Sequence, residues 1–287
     1  MRPLIRRKTE RARETGPCLS IIPTTVNGLS LSSEEFRDGI RMRYGIALDG
    51  LPRKCDGCGA KFSVEHALAC KQGGLVVGRH DELKDELAEL ATLATSSNRV
   101  RDEPLIKIGR DTEGTGVPAH ANIDSSKPNP PTGREKDLLR GDVLIHGLYD
   151  RSTSCIIDVR VTDTDQPSYL SATPHKCLKT QEGAKKKKYL SACMEQRRHF
   201  APYVVDCYGL LGEEAKAFNK RIGSKLAEKW KSPYSAVMGF VNARVSIAIL
   251  RATHLCLRGS RVPYRHISTK RSNWDDGAGL GLLQTTS

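Results

Sequence analysis

Residues 142–162 read DVLIHGLYDRSTSCIIDVRVT. Two apolar runs, 142–148 and 155–162, flank a short polar turn at 149–154, and this pattern predicts a β-hairpin. In the second run Ile156, Asp158 and Arg160 fall on one face, and Ile157, Val159 and Val161 on the other. Asp158 interrupts an otherwise apolar strand, where a carboxylate is costly unless it is paired or bound to a metal. Asp142 opens the first run, and a hairpin of this length brings the two carboxylates to one edge of a sheet. Two hard oxygen ligands suit Mg²⁺ or Mn²⁺. Such a metal activates a water and stabilises charge on a phosphodiester. The plainer reading makes Asp142 a turn residue and pairs Asp158 with Arg160 or a helix lysine.

The pattern extends in both directions from this hairpin. Downstream, residues 175–198 predict a helix carrying Lys185, Lys186, Lys187 and Lys188, followed by Tyr189. One of these lysines could orient the water or neutralise the scissile phosphate. With Arg160, Arg197 and Arg198, the other three are candidate nucleic-acid contacts, although a lysine run is also commonly a solvated face. A strand is predicted at 203–208, then helices at 213–229 and 234–257. Upstream, Glu103 precedes a short predicted strand at 104–108 and is a third candidate catalytic ligand, with Glu82 a weaker one. Leu83, Leu87, Leu90, Leu93 and Ala94 recur at helical spacing and predict an amphipathic helix over 79–95. Residues 109–137 are rich in Gly, Pro, Ser, Thr and Asn and are expected to form a flexible loop. A further helix is expected over 33–44, capped by Ser32 or Ser33. The order of elements defines an α/β domain with a mixed sheet flanked by helices.

Residues 55–70 read CDGCGAKFSVEHALAC. Cys55, Cys58, His66 and Cys70 form C-x2-C-x7-H-x3-C. The first pair can grip an ion from a tight turn, and His66 and Cys70 lie one helical turn apart. Three thiolates and one imidazole close a tetrahedron with no open position, so a zinc ion here is structural. The other six cysteines, Cys18, Cys155, Cys177, Cys193, Cys207 and Cys256, show no such spacing and read as reduced thiols.

The 287 residues carry a net charge of +13. Residues 1–16, 176–198, 216–231 and 258–272 hold +4, +6, +5 and +5, and the remainder is −7. Basic stretches around an acidic centre suit a protein that grips phosphates beside a metal. A charge that serves only solubility is the bland alternative. No run approaches 18 apolar residues, so no membrane span is expected. No secretory signal is expected at the basic start.

The Cys/His cluster, Arg79-His80, Glu103-Pro104, Asp142, the IIDVRV strand and EGAKKKKY together resemble the C-terminal region of non-LTR retrotransposon polyproteins. That region carries a CCHC zinc motif and a restriction-like endonuclease of the PD-(D/E)xK type. Residues 212–230 and 232–261 also resemble reverse-transcriptase-like transposon remnants. The resemblance implies a restriction-endonuclease-like mixed sheet over 78–258, preceded by a helix and zinc module at 32–77. Basic, disordered ends are expected at 1–31 and 259–287. It also implies a DNA-nicking enzyme with Asp142 and Asp158 as acids and Lys185 as catalytic lysine. Its cofactors are structural Zn²⁺ and catalytic Mg²⁺ or Mn²⁺, and its partner is DNA, or RNA, in the nucleus. No membrane or small-molecule substrate is implied, and no reverse transcriptase fits in the chain. Two departures stand out. Gly141-Asp142 replaces Pro-Asp, and Asp158-Val159-Arg160 replaces the D/E-x-Lys pattern. An arginine holds phosphate but does not exchange protons. A zinc- and nucleic-acid-binding remnant without catalysis is therefore the alternative, with a resolvase-like nuclease recruited to host use a third reading.

Overall fold

The computed structural model describes residues 7–8, 11–20, 24, 28–107 and 139–262. The expected loop at 109–137 and residues 263–287 of the expected tail lie outside the described residues. The elements are α1 (Ser33–Tyr44), α2 (Val64–Ala69), α3 (Leu75–Ala94), β1 (Val100–Asp102), β2 (Leu105–Lys107), β3 (Leu139–Arg140), β4 (Val143–His146), β5 (Ser154–Thr162), α4 (Pro174–Glu195), β6 (His199–Asp206), α5 (Glu213–Trp230) and α6 (Tyr234–Arg258).

A four-stranded mixed sheet has the order β1-β4-β5-β6. β4 pairs antiparallel with β1 and β5, and β5 pairs parallel with β6. Parallel neighbours need a crossover, which α4 supplies. α4 starts where the chemistry allows: Pro174 occupies the first turn, and the Thr173 side chain accepts from the Lys176 N–H at 3.3 Å. Ser32 begins α1 with a reciprocal capping box to Glu35.

Both faces of β5 are covered, which explains its near-continuous apolar sequence. Ile157 and Val159 join Leu83, Leu87 and Leu90 of α3, Phe218 and Ile222 of α5, and Val241 and Val245 of α6 in the main core. Ile156 packs on the opposite side with Ile106, Tyr189, Cys193 and Phe200. Each buried leucine of α3 contributes about 2 kcal/mol of transfer free energy, so this helix is firmly docked. The core stripe differs slightly from the sequence expectation: Ala91 is buried, whereas Leu93 is half-buried. Helix α6 is apolar enough to cross a membrane, with mean hydropathy 1.3 over its best window, but 56% of that window is buried in the protein. The expectation of no such segment is corrected to that extent, and α6 reads as a core helix.

Within the expected disordered start, the described residues include an anchored one. Arg11, 2% exposed, donates to Asp165 at 3.0 and 2.8 Å and lies 3.4 Å from Asp206. Its guanidinium stacks 3.7 Å from the centre of the Tyr208 ring. Burial pushes the Asp206 carboxyl up to about 6. Apolar patterning shows none of this, because the anchor is a long-range ion pair. At the other end, Gly259 to Val262 are held rather than free: Asp56 accepts from the Ser260 hydroxyl and the Arg261 N–H, both at 2.8 Å.

Candidate functional site

The β4–β5 register sets Val143 opposite Ile157, and the Asp142 N–H donates to Ile157 O at 3.0 Å. Asp142 therefore stands across from Asp158, as the hairpin reading required. Oδ2 of Asp142 accepts from the Val159 N–H at 2.6 Å and lies 3.1 Å from His80 Nε2. Burial raises the Asp142 carboxyl, but these donors and the nearby Lys185 charge outweigh it and hold it below its ordinary value. His80 is raised, chiefly by its bond to Asp142 and then by Asp81, whose Oδ1 lies 3.1 Å from Nδ1.

Asp158 is 3% exposed. Its Oδ2 forms an ion pair with Lys185 Nζ but has no aligned hydrogen-bond donor. Burial pushes this carboxyl up, the Asp142 charge adds to that, and Lys185 offsets it only in part. Two carboxylates in unlike environments therefore stand beside one ammonium.

The α4 periodicity explains why Lys185 is the lysine at the site. Leu178, Gln181, Glu182, Tyr189, Ala192 and Cys193 form the buried seam of α4, and Lys185 lies between two of its turns. Tyr189, one turn on, packs against Phe200 with ring centres 5.3 Å apart and raises a wall beside Asp158. Burial and the Asp158 charge push its phenol up. Lys186 is instead paired with Glu214 of α5, Lys188 donates to the Tyr189 hydroxyl at 2.9 Å, and Lys187 is exposed. Arg160 is half-buried, and Asp158 pairs with Lys185 rather than with it. Arg197 is exposed, and Arg198 donates to Leu105 O at 3.2 Å.

Glu103 enters differently from the expectation. Its N–H donates to Asp142 O at 2.8 Å, while its side chain is exposed and its φ is +46°. Its contribution is the backbone that holds Asp142. Gly141 explains one departure from the family pattern. A Cβ there would stand 2.3 Å from Ile156 Cγ2, and the Gly141 N–H donates to Pro104 O at 3.1 Å. Proline would supply the clash and lose the donor.

Cys55, Cys58, His66 and Cys70 form the second site and could hold a metal ion, with ligand atoms all within 4.8 Å of one another. The Sγ atoms of Cys55 and Cys70 are 3.9 Å apart, those of Cys58 and Cys70 4.0 Å, and Cys58 Sγ is 3.4 Å from His66 Nε2. Thiolates about 2.3 Å from one tetrahedral ion stand about 3.8 Å apart, so the spacing fits. Backbone N–H groups pointing at Cys55, that of Cys58 foremost, lower its thiol to about 6 and favour the thiolate a metal needs. The Ser63 side chain caps α2 by accepting from the His66 N–H at 3.1 Å, which fixes the helical turn carrying His66.

The two sites share α3. Buried Arg79 donates to Leu68 O of α2 at 3.0 Å and contacts Cys207 Sγ at 3.3 Å, while His80, the next residue, meets Asp142. Arg261, 1% exposed, closes the cluster from the far end of the chain by donating to Ala67 O at 3.1 Å. Gly73 is required here, because its φ is +71° and a Cβ would lie 2.4 Å from Arg261 Cα. Sequence reasoning used Arg79-His80 only as part of the resemblance and gave no site role to His80, Asp81, Arg79 or Arg261. The available signal was Arg79 itself, a charged residue four positions before Leu83 on the buried stripe of α3.

No protein-family model matches this chain, and no curated protein matches it.

Proposed function

We propose that the chain is a metal-dependent DNA endonuclease of the restriction-like PD-(D/E)xK type, related to non-LTR retrotransposon polyproteins and acting in the nucleus. The observation that carries the reading is the placing of Asp142 across from Asp158, with Lys185 paired to Asp158 and its charge felt by Asp142. The sheet order, with two antiparallel pairs, one parallel pair and α4 as the crossover, supports it. Asp158 Oδ2 is a buried oxygen without an aligned donor, and a divalent cation fits that chemistry. Bound Mg²⁺ or Mn²⁺ supplies a Lewis acid and a water of lowered pKa. Asp142 and Asp158 hold the cation. Lys185 holds a proton beside Asp158 and faces the developing charge on the phosphate. Arg160 occupies the lysine position of the family pattern and can only grip phosphate. In the same proposal the Cys55, Cys58, His66 and Cys70 set holds a structural zinc with no open position.

The test is nicking of supercoiled plasmid with Mg²⁺ or Mn²⁺, comparing the wild type with Asp158→Ala. The expected result is nicking by the wild type and a fall of about 100-fold or more in the variant. Equal activity in both proteins sinks the site assignment. The second reading, a binding remnant without catalysis, is favoured by Arg160 in place of lysine. It predicts salt-sensitive DNA binding and no nicking by either protein.

A further inference from the structure

His80 has no part in the reaction outlined above, yet it makes the only side-chain contact to Asp142 among the described residues. Its Cα is fixed by α3, whose leucine stripe is locked in the main core. Its ring is fixed at both nitrogens, with Nε2 3.1 Å from Asp142 Oδ2 and Nδ1 3.1 Å from Asp81 Oδ1. The same Asp142 Oδ2 also receives the Val159 N–H at 2.6 Å. Two donors engage both in-plane lone pairs of that oxygen. Among the described residues no hydrogen bond or ion pair reaches Oδ1.

We propose that His80 is a positioning residue for the divalent cation, pinning Asp142 Oδ2 together with the Val159 N–H so that Oδ1 is the oxygen presented to the ion. This rests on the cation site of the proposed endonuclease. Asp81 is the outer partner that holds the ring in place. Groups that hydrogen-bond a ligating carboxylate set its orientation, and their loss typically weakens metal binding about 10- to 100-fold. Without His80 the Asp142 carboxylate keeps one fixed donor and can rotate about its terminal torsion, which is broad.

The experiment measures Mn²⁺ binding by electron paramagnetic resonance on the zinc-loaded full chain, with no DNA present. The proteins are wild type, His80→Ala, His80→Gln and Asp158→Ala, and thermal midpoints are recorded for each. The His80→Ala variant is expected to bind Mn²⁺ about 10- to 100-fold more weakly. His80→Gln, whose amide can still donate toward Oδ2, is expected to recover most of that loss at the same thermal midpoint as His80→Ala. Wild-type Mn²⁺ affinity in His80→Ala, or no recovery in His80→Gln, overturns the proposal. If Asp158→Ala weakens binding while His80→Ala does not, only the role of His80 falls. If Asp158→Ala also binds like the wild type, the cation site itself falls, and with it the endonuclease reading.

Discussion

The Cys/His cluster and the carboxylate groove are built in opposite ways. The cluster draws every ligand from residues 55–70, a turn followed by one short helix. The groove draws Asp142 from a strand entrance, Asp158 from β5, Lys185 from α4 and His80 from α3. A local site is set by spacing and turn chemistry. A dispersed site is set by sheet register, helix seams and the packing of residues that touch no ligand. The cluster is therefore expected to fail through its own ligands, whereas the groove can also be damaged from outside.

The largest effect is expected at the cluster. Purified protein should hold about one zinc, and Cys55→Ser or chelation should remove it and unfold residues around 55–75, since a structural zinc at such a cluster would contribute about 10 kcal/mol or more to folding. Metal analysis with hydrogen exchange checks this. Less than half an equivalent of zinc, or unchanged protection after chelation, would break the contrast.

The next effect tests long-range anchoring. Arg11→Met leaves Asp206 without its paired cation and Asp165 with only the longer Arg7 pair at 3.5 Å, and should lower stability by about 3 kcal/mol at pH 7.5 in urea unfolding. The sign with pH follows from two carboxyls. Asp206 is raised to about 6 by burial, so its contribution is full below its ordinary value of 3.8 and is lost as pH climbs through 6. Burial raises Asp165 too, but Arg11 outweighs it and holds that carboxyl low. Both make the deficit shrink as the pH is lowered toward 5. A deficit independent of pH would show that the arm is held by packing alone.

Gly141→Pro, which restores the Pro-Asp of the resembled family, should destabilise the protein by about 1–3 kcal/mol through overpacking against Ile156 and loss of a backbone donor. Nicking should fall with it. Unchanged melting and activity would mean that the groove tolerates changes at its margin as a local site does. The smallest effect is expected at Lys186. Its pair with Glu214 is half-exposed, so Lys186→Ala should change stability by less than about 1 kcal/mol and leave nicking intact. A large loss of nicking would show that the lysine run works as a patch rather than through Lys185.

The same contrast explains what could be read in advance. The Cys/His spacing and the hairpin with its facing aspartates are local, so both were legible. So was the choice of Lys185, through the resemblance. The strand at 100–102 was not, because the three residues Val-Arg-Asp are too few to carry a period and owe their form to pairing with β4. His80 meets Asp142 62 residues away, Arg11 meets Asp165 154 away, and Arg261 meets Ala67 194 away. No window of sequence spans such partners. Glu103 touches the site through its backbone, a contact that its acidic side chain beside a strand does not announce.

The closure of the Cys/His cluster by Arg261 also has an order in time. On the ribosome the fourth ligand, Cys70, emerges long before the residue that covers it, because Arg261 follows 191 positions later. At ordinary synthesis rates that interval is about 10–40 s. Through it α2, which carries His66, lacks the Arg261 bond to Ala67 O that braces it in the complete fold.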